Sequence, residues 1–160
     1  KQPTFGEGCF FAENVTLTGD VSLGDNCTVW YNAVIRGDVN SITIGNNTNI
    51  QDGVIIHATY QKHATSIGNN VSIGHGAIVH GCTIEDEVLI GMGSIVMDGC
   101  LVEEGSIVAA GAVVTEGTHI ERGSIYAGVP AKKVKEVSDA QRSLIERTAE
   151  NYPKYASWIE

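Results

Sequence analysis

The sequence predicts an all-β solenoid, a parallel β-helix of hexapeptide repeats followed by a C-terminal α-helix. Aliphatic residues recur every six positions, and a small or β-branched residue follows most of them four positions later. In addition, 19 glycines are spread along the 160 residues, against only 3 prolines. An α-helix, with its period of about 3.6, cannot maintain this pattern, and one isolated strand is too short for it. Three six-residue units per turn would stack like residues on like residues.

The recurring aliphatic residue, here called the anchor, sets the register of the repeat. Its phase is interrupted by three extra residues before Ile44, by five before Ile67 and by one dropped residue before Ile84. The anchors are Leu17, Leu23, Val29, Ile35, Ile44, Ile50, Ile56, Ile67, Ile73, Val79, Ile84, Ile90, Val96, Val102, Val108, Val114, Ile120 and Tyr126. Adjacent rungs of such a stack would pair at about 4.8 Å through parallel ladders.

A helix is predicted after the repeats, so we expect a β-helix domain over residues 1–137 and a helix packed on it over residues 138–160. Ser138 and Gln141 have the spacing of a capping box. An apolar stripe at helical spacing follows, formed by Leu144, Ile145, Ala149 and Tyr152. Pro153 is expected to end or kink the helix. The pattern leaves open whether the helix also contacts a neighbouring subunit.

Composition and charge exclude several classes of partner. The net charge of −9 argues against nucleic acid and anionic membrane surfaces, since both require a basic face. No apolar run is long enough for a transmembrane span. The 4 cysteines have no C-x-x-C spacing, which favours reduced thiols in the cytoplasm. The sequence has no signal-peptide pattern and begins at Lys1 instead of Met, so a removed targeting segment stays an open alternative.

Stacking brings two histidines together. His57 follows the anchor Ile56, and His80 follows the anchor Val79 one turn later, so the two should lie about 4.8 Å apart on adjacent coils. His75 falls on the preceding face, near a corner, and one chain cannot easily bring it to this pair. A neighbouring chain related by three-fold symmetry could. The repeat therefore suggests an intersubunit site with three imidazoles and an open fourth position for water.

The other two histidines are expected to be surface residues. His119 lies in the polar turn Thr-His-Ile-Glu-Arg-Gly, and His63 lies in the inserted loop 58–66. A role as proton shuttle is the alternative for His63.

Three segments carry a family resemblance: Val-Trp-Tyr-Asn-Ala-Val-Ile-Arg-Gly-Asp (29–38), Thr-Asn-Ile-Gln-Asp-Gly (48–53) and Ile-Gly-His-Gly-Ala-Ile-Val-His-Gly-Cys (73–82). Together they resemble the γ-class carbonic anhydrases, and the resemblance covers nearly the whole chain. Many acyltransferases share the repeat alone. The combination of Arg-Gly-Asp, Asn-x-Gln-Asp and His-x4-His is much more specific.

The resemblance implies a left-handed β-helix and a homotrimer with metal sites at its subunit interfaces. It implies that His57 and His80 of one subunit and His75 of the next bind Zn²⁺. Fe²⁺ and Co²⁺ are alternatives, because three imidazoles suit all three ions. The implied activity is reversible hydration of carbon dioxide to bicarbonate by a metal-bound hydroxide.

Further site residues follow from the same resemblance. Gln51 and Asn49 would orient the metal-bound water or bicarbonate. Tyr126 matches a family tyrosine near the pocket. These three residues complete the implied pocket around the ion.

Charged residues of the matching motifs would form a network at the interface. Arg36 would pair with Asp38 and, across the interface, with Asp52; a salt-bridge network without catalytic duty is the alternative. The chain departs from the family at Val39, where well-studied members carry glutamate, and in loop 58–66, which is acidic in them. Both features are linked to proton transfer there, so the proton-transfer residue of this chain stays unassigned.

Three other functions compete with carbon dioxide hydration. An acyl-coenzyme A thioesterase would need a basic pocket, for which Lys132, Lys133 and Lys135 are the only cluster. An acyltransferase rests on the repeat alone and needs one histidine as general base. A non-catalytic, metal-binding subunit of a larger assembly is the third alternative.

Overall fold

The chain forms a parallel β-solenoid of about seven turns with one C-terminal helix, as predicted. The computed structural model describes residues 1–159. Glu160, the last residue of the predicted segment 138–160, lies outside the described residues.

Most strands are two or three residues long, because each face of a coil is a single six-residue unit that ends in a turn. The strands are β1 (Thr4–Phe5), β2 (Phe10–Phe11), β3 (Thr16–Leu23), β4 (Thr28–Val29), β5 (Val34–Ile44), β6 (Asn49–Ile50), β7 (Ile55–His57), β8 (Thr65–Ile67), β9 (Ser72–Ile73), β10 (Ile78–His80), β11 (Thr83–Ile84), β12 (Leu89–Ile90), β13 (Ile95–Val96), β14 (Leu101–Val102), β15 (Ile107–Val108), β16 (Val113–Val114), β17 (His119–Ile120), β18 (Ser124–Ala127) and β19 (Lys132–Glu136). The helix α1 spans Asp139–Ala156.

All anchors stack in three in-register columns, one for each face of the solenoid. Face A carries Leu17, Ile35, Ile56, Val79, Val96 and Val114. Face B carries Leu23, Ile44, Ile67, Ile84, Val102 and Ile120. Face C carries Val29, Ile50, Ile73, Ile90, Val108 and Tyr126. The Val and Ile anchors from Ile35 to Ile120 are at most 4% exposed, so these columns form the core that the period predicted.

The corner after face B explains why glycine often follows the anchor. Asn46 Oδ1 accepts a hydrogen bond from the Asp25 backbone N–H (2.8 Å), and Asn69 Oδ1 accepts one from the Asn46 backbone N–H (2.7 Å). A Cβ atom at Gly45 would lie only 2.4 Å from Asn69 Oδ1. Only glycine leaves room for this side-chain ladder, which ties successive coils together at the corner.

The predicted capping box begins α1. The Ser138 hydroxyl accepts from the Gln141 backbone N–H (3.2 Å), and the Gln141 amide oxygen accepts from the Ser138 backbone N–H (2.9 Å). The helix does not end at Pro153 but continues to Ala156, since neighbouring helical hydrogen bonds tolerate one missing N–H near the end. Leu144, expected in the apolar stripe, is exposed.

Helix α1 covers part of the outer side of face C. Ile145 is 2% exposed and packs with Ile107, Ile125 and the partly buried Leu89, which point outward from that face. Across residues 1–159, no helix combines the length and the hydrophobicity needed to cross a bilayer.

Candidate metal centre

His57 and His80 lie side by side at the end of face A. They close strands β7 and β10 and are direct partners in the parallel ladder. Their ring centroids are 5.1 Å apart, and His57 Nδ1 lies 3.1 Å from His80 Nε2. The two imidazoles therefore face each other with one nitrogen each, as their position in the repeat predicted.

Each of these rings is held by a carboxylate through its other nitrogen. His57 Nε2 is 2.9 Å from Asp38 Oδ1, and His80 Nδ1 is 2.5 Å from Asp98 Oδ1. Because a carboxylate accepts hydrogen bonds, each of these nitrogens carries an N–H group. When both rings are neutral, the lone pairs of His57 Nδ1 and His80 Nε2 point at each other across 3.1 Å.

Two facing lone pairs repel each other unless a proton or a metal ion lies between them. Two imidazole nitrogens bound tetrahedrally to one ion at about 2.1 Å would be on the order of 3.4 Å apart. The observed 3.1 Å between His57 Nδ1 and His80 Nε2 is close to that separation. The donor set of this pair thus fits a metal ion that prefers nitrogen ligands.

Asp38 is also paired with Arg36. Arg36 Nη1 lies 2.5 Å from Asp38 Oδ2, so the two oxygens of this carboxylate serve the histidine and the arginine separately. The hydrogen bond from His57, followed by that from Arg36, lowers the pKa of Asp38 below its usual value. Asp38 is therefore an ionised acceptor beside the histidine pair.

Asp98 is a site residue that the sequence did not single out. Its Oδ2 accepts a hydrogen bond from the Thr59 hydroxyl. Partial burial acts to raise the pKa of Asp98, but the hydrogen bonds with Thr59 and His80 outweigh it and lower the pKa overall. The register of the strands could have indicated Asp98, because Val96 stacks on Val79 and the turn after Val96 therefore lies beside His80. Asp98 comes two residues after its anchor and His80 one residue after its anchor, so they do not share a position of the repeat.

His75 lies at the opposite end of face A, in the turn between β9 and β10. Its Nδ1 is 3.0 Å from Asp52 Oδ1, and its side chain is 49% exposed. Strand β10, which rises about 3.3 Å per residue, separates it from His80. Within the described residues, no group of three or more His, Cys, Asp or Glu side chains is arranged to hold a metal. One chain therefore brings two of the three predicted histidines together and leaves the third at another edge.

Gln51 and Asn49 lie near the edge that carries Asp52 and His75. Both are buried, with 5% and 1% of their surface exposed. Asn49 Nδ2 donates to Ser72 Oγ (2.7 Å), and Gln51 Nε2 donates to Asn49 Oδ1 (2.9 Å). This chain of amides fixes the orientation of Gln51 and leaves its Oε1 as an acceptor.

Tyr126 and His119 lie away from the histidine pair, whereas His63 lies near it. Tyr126 is an anchor in the last coil of face C, and its hydroxyl donates to the His119 backbone oxygen (3.3 Å). His119 is exposed, with Nε2 at 3.3 Å from Glu103. His63 rests against the corner next to Asp98: a Cβ atom at Gly99 would lie 3.5 Å from its Cε1. His63 is half-buried there, not freely exposed.

Comparison with known proteins places this arrangement in a family. The pattern of the family described as Bacterial transferase hexapeptide (six repeats) matches residues 3–37 and 81–116. Gamma carbonic anhydrase 1, mitochondrial, of Arabidopsis thaliana is 41% identical over 98% of this chain and 58% of its own length. The "Probable carbonic anhydrase" of Methanocaldococcus jannaschii is 44% identical over 93% of both chains. A hexapeptide transferase family protein from Anaplasma phagocytophilum is 39% identical, with a TM-score of 0.91 over 98% of this chain and 93% of its own.

The chain belongs to the γ-class carbonic anhydrase family of hexapeptide-repeat proteins. It spans a little over half the length of the Arabidopsis relative and nearly all of the Methanocaldococcus one.

Proposed function

We propose that this chain is a metal-dependent carbonic anhydrase that interconverts carbon dioxide and bicarbonate. The observation that carries the proposal is the pair of facing nitrogens on His57 and His80, each ring held by a carboxylate. Relatives of similar length are named carbonic anhydrases, which supports the same substrate for this chain.

The ion would be held by His57 and His80 of one subunit and by His75 of a second copy. Zn²⁺ is our first choice, and Fe²⁺ and Co²⁺ suit the same ligands. When bound, such an ion supplies Lewis acidity that lowers the pKa of water towards 7. Three neutral imidazoles leave its charge uncompensated, which favours this chemistry.

A ladder of aliphatic side chains supports an assembly that brings His75 to the pair. The residue before each anchor points outward, and on face A these residues are Thr16 in the first coil and then the aliphatic Val34, Ile55, Ile78, Ile95 and Val113. The equivalent residues of face B are mostly polar, namely Ser22, Thr43, Ser66, Thr83, Leu101 and His119, and part of face C lies under helix α1. Ile55 is 43% exposed in the single chain, and burying this ladder would stabilise a contact between copies.

The two ends of face A favour a closed ring of three subunits. His75 lies at one end and the His57–His80 pair at the other, so a contact that joins unlike ends is heterologous. Heterologous contacts form rings when the rotation closes. Three subunits, the number that the family resemblance implies, would create three equivalent sites.

The amides and charged groups would act on the substrate and on the interface. Gln51, fixed by Asn49, would accept a hydrogen bond through Oε1 and hold a water proton away from the attacked carbon. Arg36 and Asp38 would join Asp52 of a second copy across the interface, where an ion pair specifies geometry more than it stabilises. Tyr126 would border the pocket only in the assembly.

The thioesterase alternative has less support. Lys133, at the centre of the only lysine cluster, lies 3.0 Å from Glu121 and 2.7 Å from Glu136. The hydrogen bond with Glu136, followed by that with Glu121, raises the pKa of Lys133 above its ordinary value. Both carboxylates are therefore already paired with the ammonium group of Lys133. The nucleotide of coenzyme A would therefore have to displace two carboxylates.

A reducing compartment such as the cytoplasm is our proposal for location. It is supported by the four cysteines, all of which are free thiols in the structure.

Stopped-flow measurement of carbon dioxide hydration tests the proposed activity. Protein loaded with Zn²⁺, Fe²⁺ or Co²⁺ without oxygen should accelerate hydration, and His80→Ala should lose at least about 100-fold of that rate together with its metal. His119→Ala is the matched control and should keep both. Background rates with all three ions would overturn the proposal, and thioester hydrolysis by the same samples would favour the alternative.

A further inference from the structure

Asp98 joins the candidate metal centre from the coil after His80. It lies in the turn that follows β13, with its side chain 20% exposed. Its Oδ1 is 2.5 Å from His80 Nδ1, and its Oδ2 accepts from the Thr59 hydroxyl. Both oxygens are thus engaged, which restricts rotation of the carboxylate.

We infer that Asp98 is a positioning residue, which fixes the tautomer and the ring orientation of His80, and that Thr59 holds Asp98 in place. The inference rests on the proposed metal site. A proton fixed on His80 Nδ1 leaves Nε2 as the lone-pair donor directed at His57. Metal-binding histidines almost always donate their other N–H to a carboxylate, a carbonyl or a water, and losing that partner typically weakens metal binding 10- to 100-fold.

The inserted loop 58–66 gains a role from this arrangement. The backbone of Thr59 is itself held in place. Its N–H donates to the carbonyl oxygen of His63 (2.9 Å), and its carbonyl oxygen accepts from Asn40 Nδ2 (3.0 Å). The loop leaves the solenoid directly after His57 and returns at β8. Its function here is to hold Oδ2 of Asp98 while Oδ1 binds His80, which requires a hydroxyl donor and no acidic residue.

Two measurements on the full chain test the inference. The first is ¹⁵N NMR of His80 in metal-free protein at mildly alkaline pH, where imidazole is neutral. The second is Zn²⁺ affinity by competition with a coloured chelator. Asp98→Ala should convert His80 from the Nδ1–H form to a mixture of tautomers and should weaken Zn²⁺ binding by about 10- to 100-fold. Thr59→Val, which keeps the side-chain shape, should give a smaller loss of the same kind.

The control is Glu116→Gln. Glu116 is exposed in the equivalent turn one coil further on, since Val114 stacks on Val96. It should leave the tautomer and the affinity unchanged. Asp98→Asn should keep most of the tautomer preference, because the amide oxygen still accepts from Nδ1, but should bind Zn²⁺ more weakly than the native chain.

The outcomes separate this inference from the metal site itself. A native His80 tautomer in both Asp98→Ala and Thr59→Val, with affinity within about twofold of the native chain, would overturn the role of Asp98. If Asp98→Ala fails to fold, Thr59→Val decides by the same criteria. Asp98→Asn then decides by its Zn²⁺ affinity alone, because its tautomer is expected to stay close to that of the native chain. A native chain that binds no ion would overturn the proposed metal site, and the tautomer of metal-free His80 would still decide whether Asp98 positions it.

Discussion

Single residues at this site work in pairs of imidazole and carboxylate. Each histidine proposed as a ligand has a carboxylate at one ring nitrogen: Asp38 at His57, Asp98 at His80 and Asp52 at His75. An acceptor at one nitrogen fixes the tautomer and leaves the other nitrogen as a metal donor. The arrangement predisposes the rings for an ion before the ion is present.

At the residue scale, burial of Cys27 makes stability depend on pH. Cys27 has no exposed surface, and burial raises its pKa from 9.0 to about 11. The folded state therefore retains this proton where the unfolded chain loses it, so the free energy of unfolding should fall as the pH rises between these values. The contribution is roughly 2 to 3 kcal/mol.

Urea unfolding across that pH range checks the Cys27 prediction. Cys27→Ala removes the titrating thiol and should show a shallower decline than the native chain. Parallel declines in the native and Cys27→Ala chains would contradict the assignment.

At the residue scale, the sequence predicted the contacts that follow from the repeat but not those that depend on side-chain conformation. His57 and His80 share one position on successive coils, so backbone register alone brings them together. Asp98 occupies a different position, and its contact with His80 depends on rotamers and on Thr59. Such contacts cannot be read from a period.

At the element scale, the short strands are stable because their anchors stack. A strand of two residues has almost no intrinsic stability, and each face gains its stability from the column of buried aliphatic side chains behind it. The sequence predicted these columns fully because a period of six admits one register. It gave no register for the inserted loop 58–66, whose backbone bonds to Asn40 and His63 follow no repeat.

Adjacent residues of β7 give a direct test of this account of the core. Ile56 has no exposed surface and Ile55 is 43% exposed. Ile56→Ala should lower the free energy of unfolding by about 2 to 5 kcal/mol, because it leaves a cavity in the anchor column. Ile55→Ala, measured as an isolated chain at low concentration, should cost under about 1 kcal/mol. If chemical denaturation gave equal losses in the free energy of unfolding for both variants, it would contradict the assignment of Ile56 to the core and Ile55 to the outer surface.

At the scale of the whole molecule, one chain carries the residues of the proposed metal site in two separate places. The His57–His80 pair and His75 lie at opposite ends of face A, with the aliphatic ladder Val34, Ile55, Ile78, Ile95 and Val113 between them. A contact between copies along face A would bury the ladder and complete the ligand set at the same time. Assembly and metal binding are therefore expected to depend on each other.

A charge placed on the ladder should break this dependence. Ile55→Lys should reduce the molecule to single chains and lower Zn²⁺ affinity, because an ammonium group buried between apolar faces has no partner. The measurements are light scattering and chelator competition, with circular dichroism to verify the fold. Ser66→Lys, at the equivalent outward position of face B in the same coil, is the control and should change neither.

Native mass spectrometry combined with elemental analysis tests the central claim most directly, since it reports subunit number and bound metal on one sample. The account predicts three chains carrying up to three ions, with both numbers falling together in His57→Ala or His75→Ala. A single chain that binds an ion through His57 and His80 alone, or a trimer that takes up no metal, would contradict it.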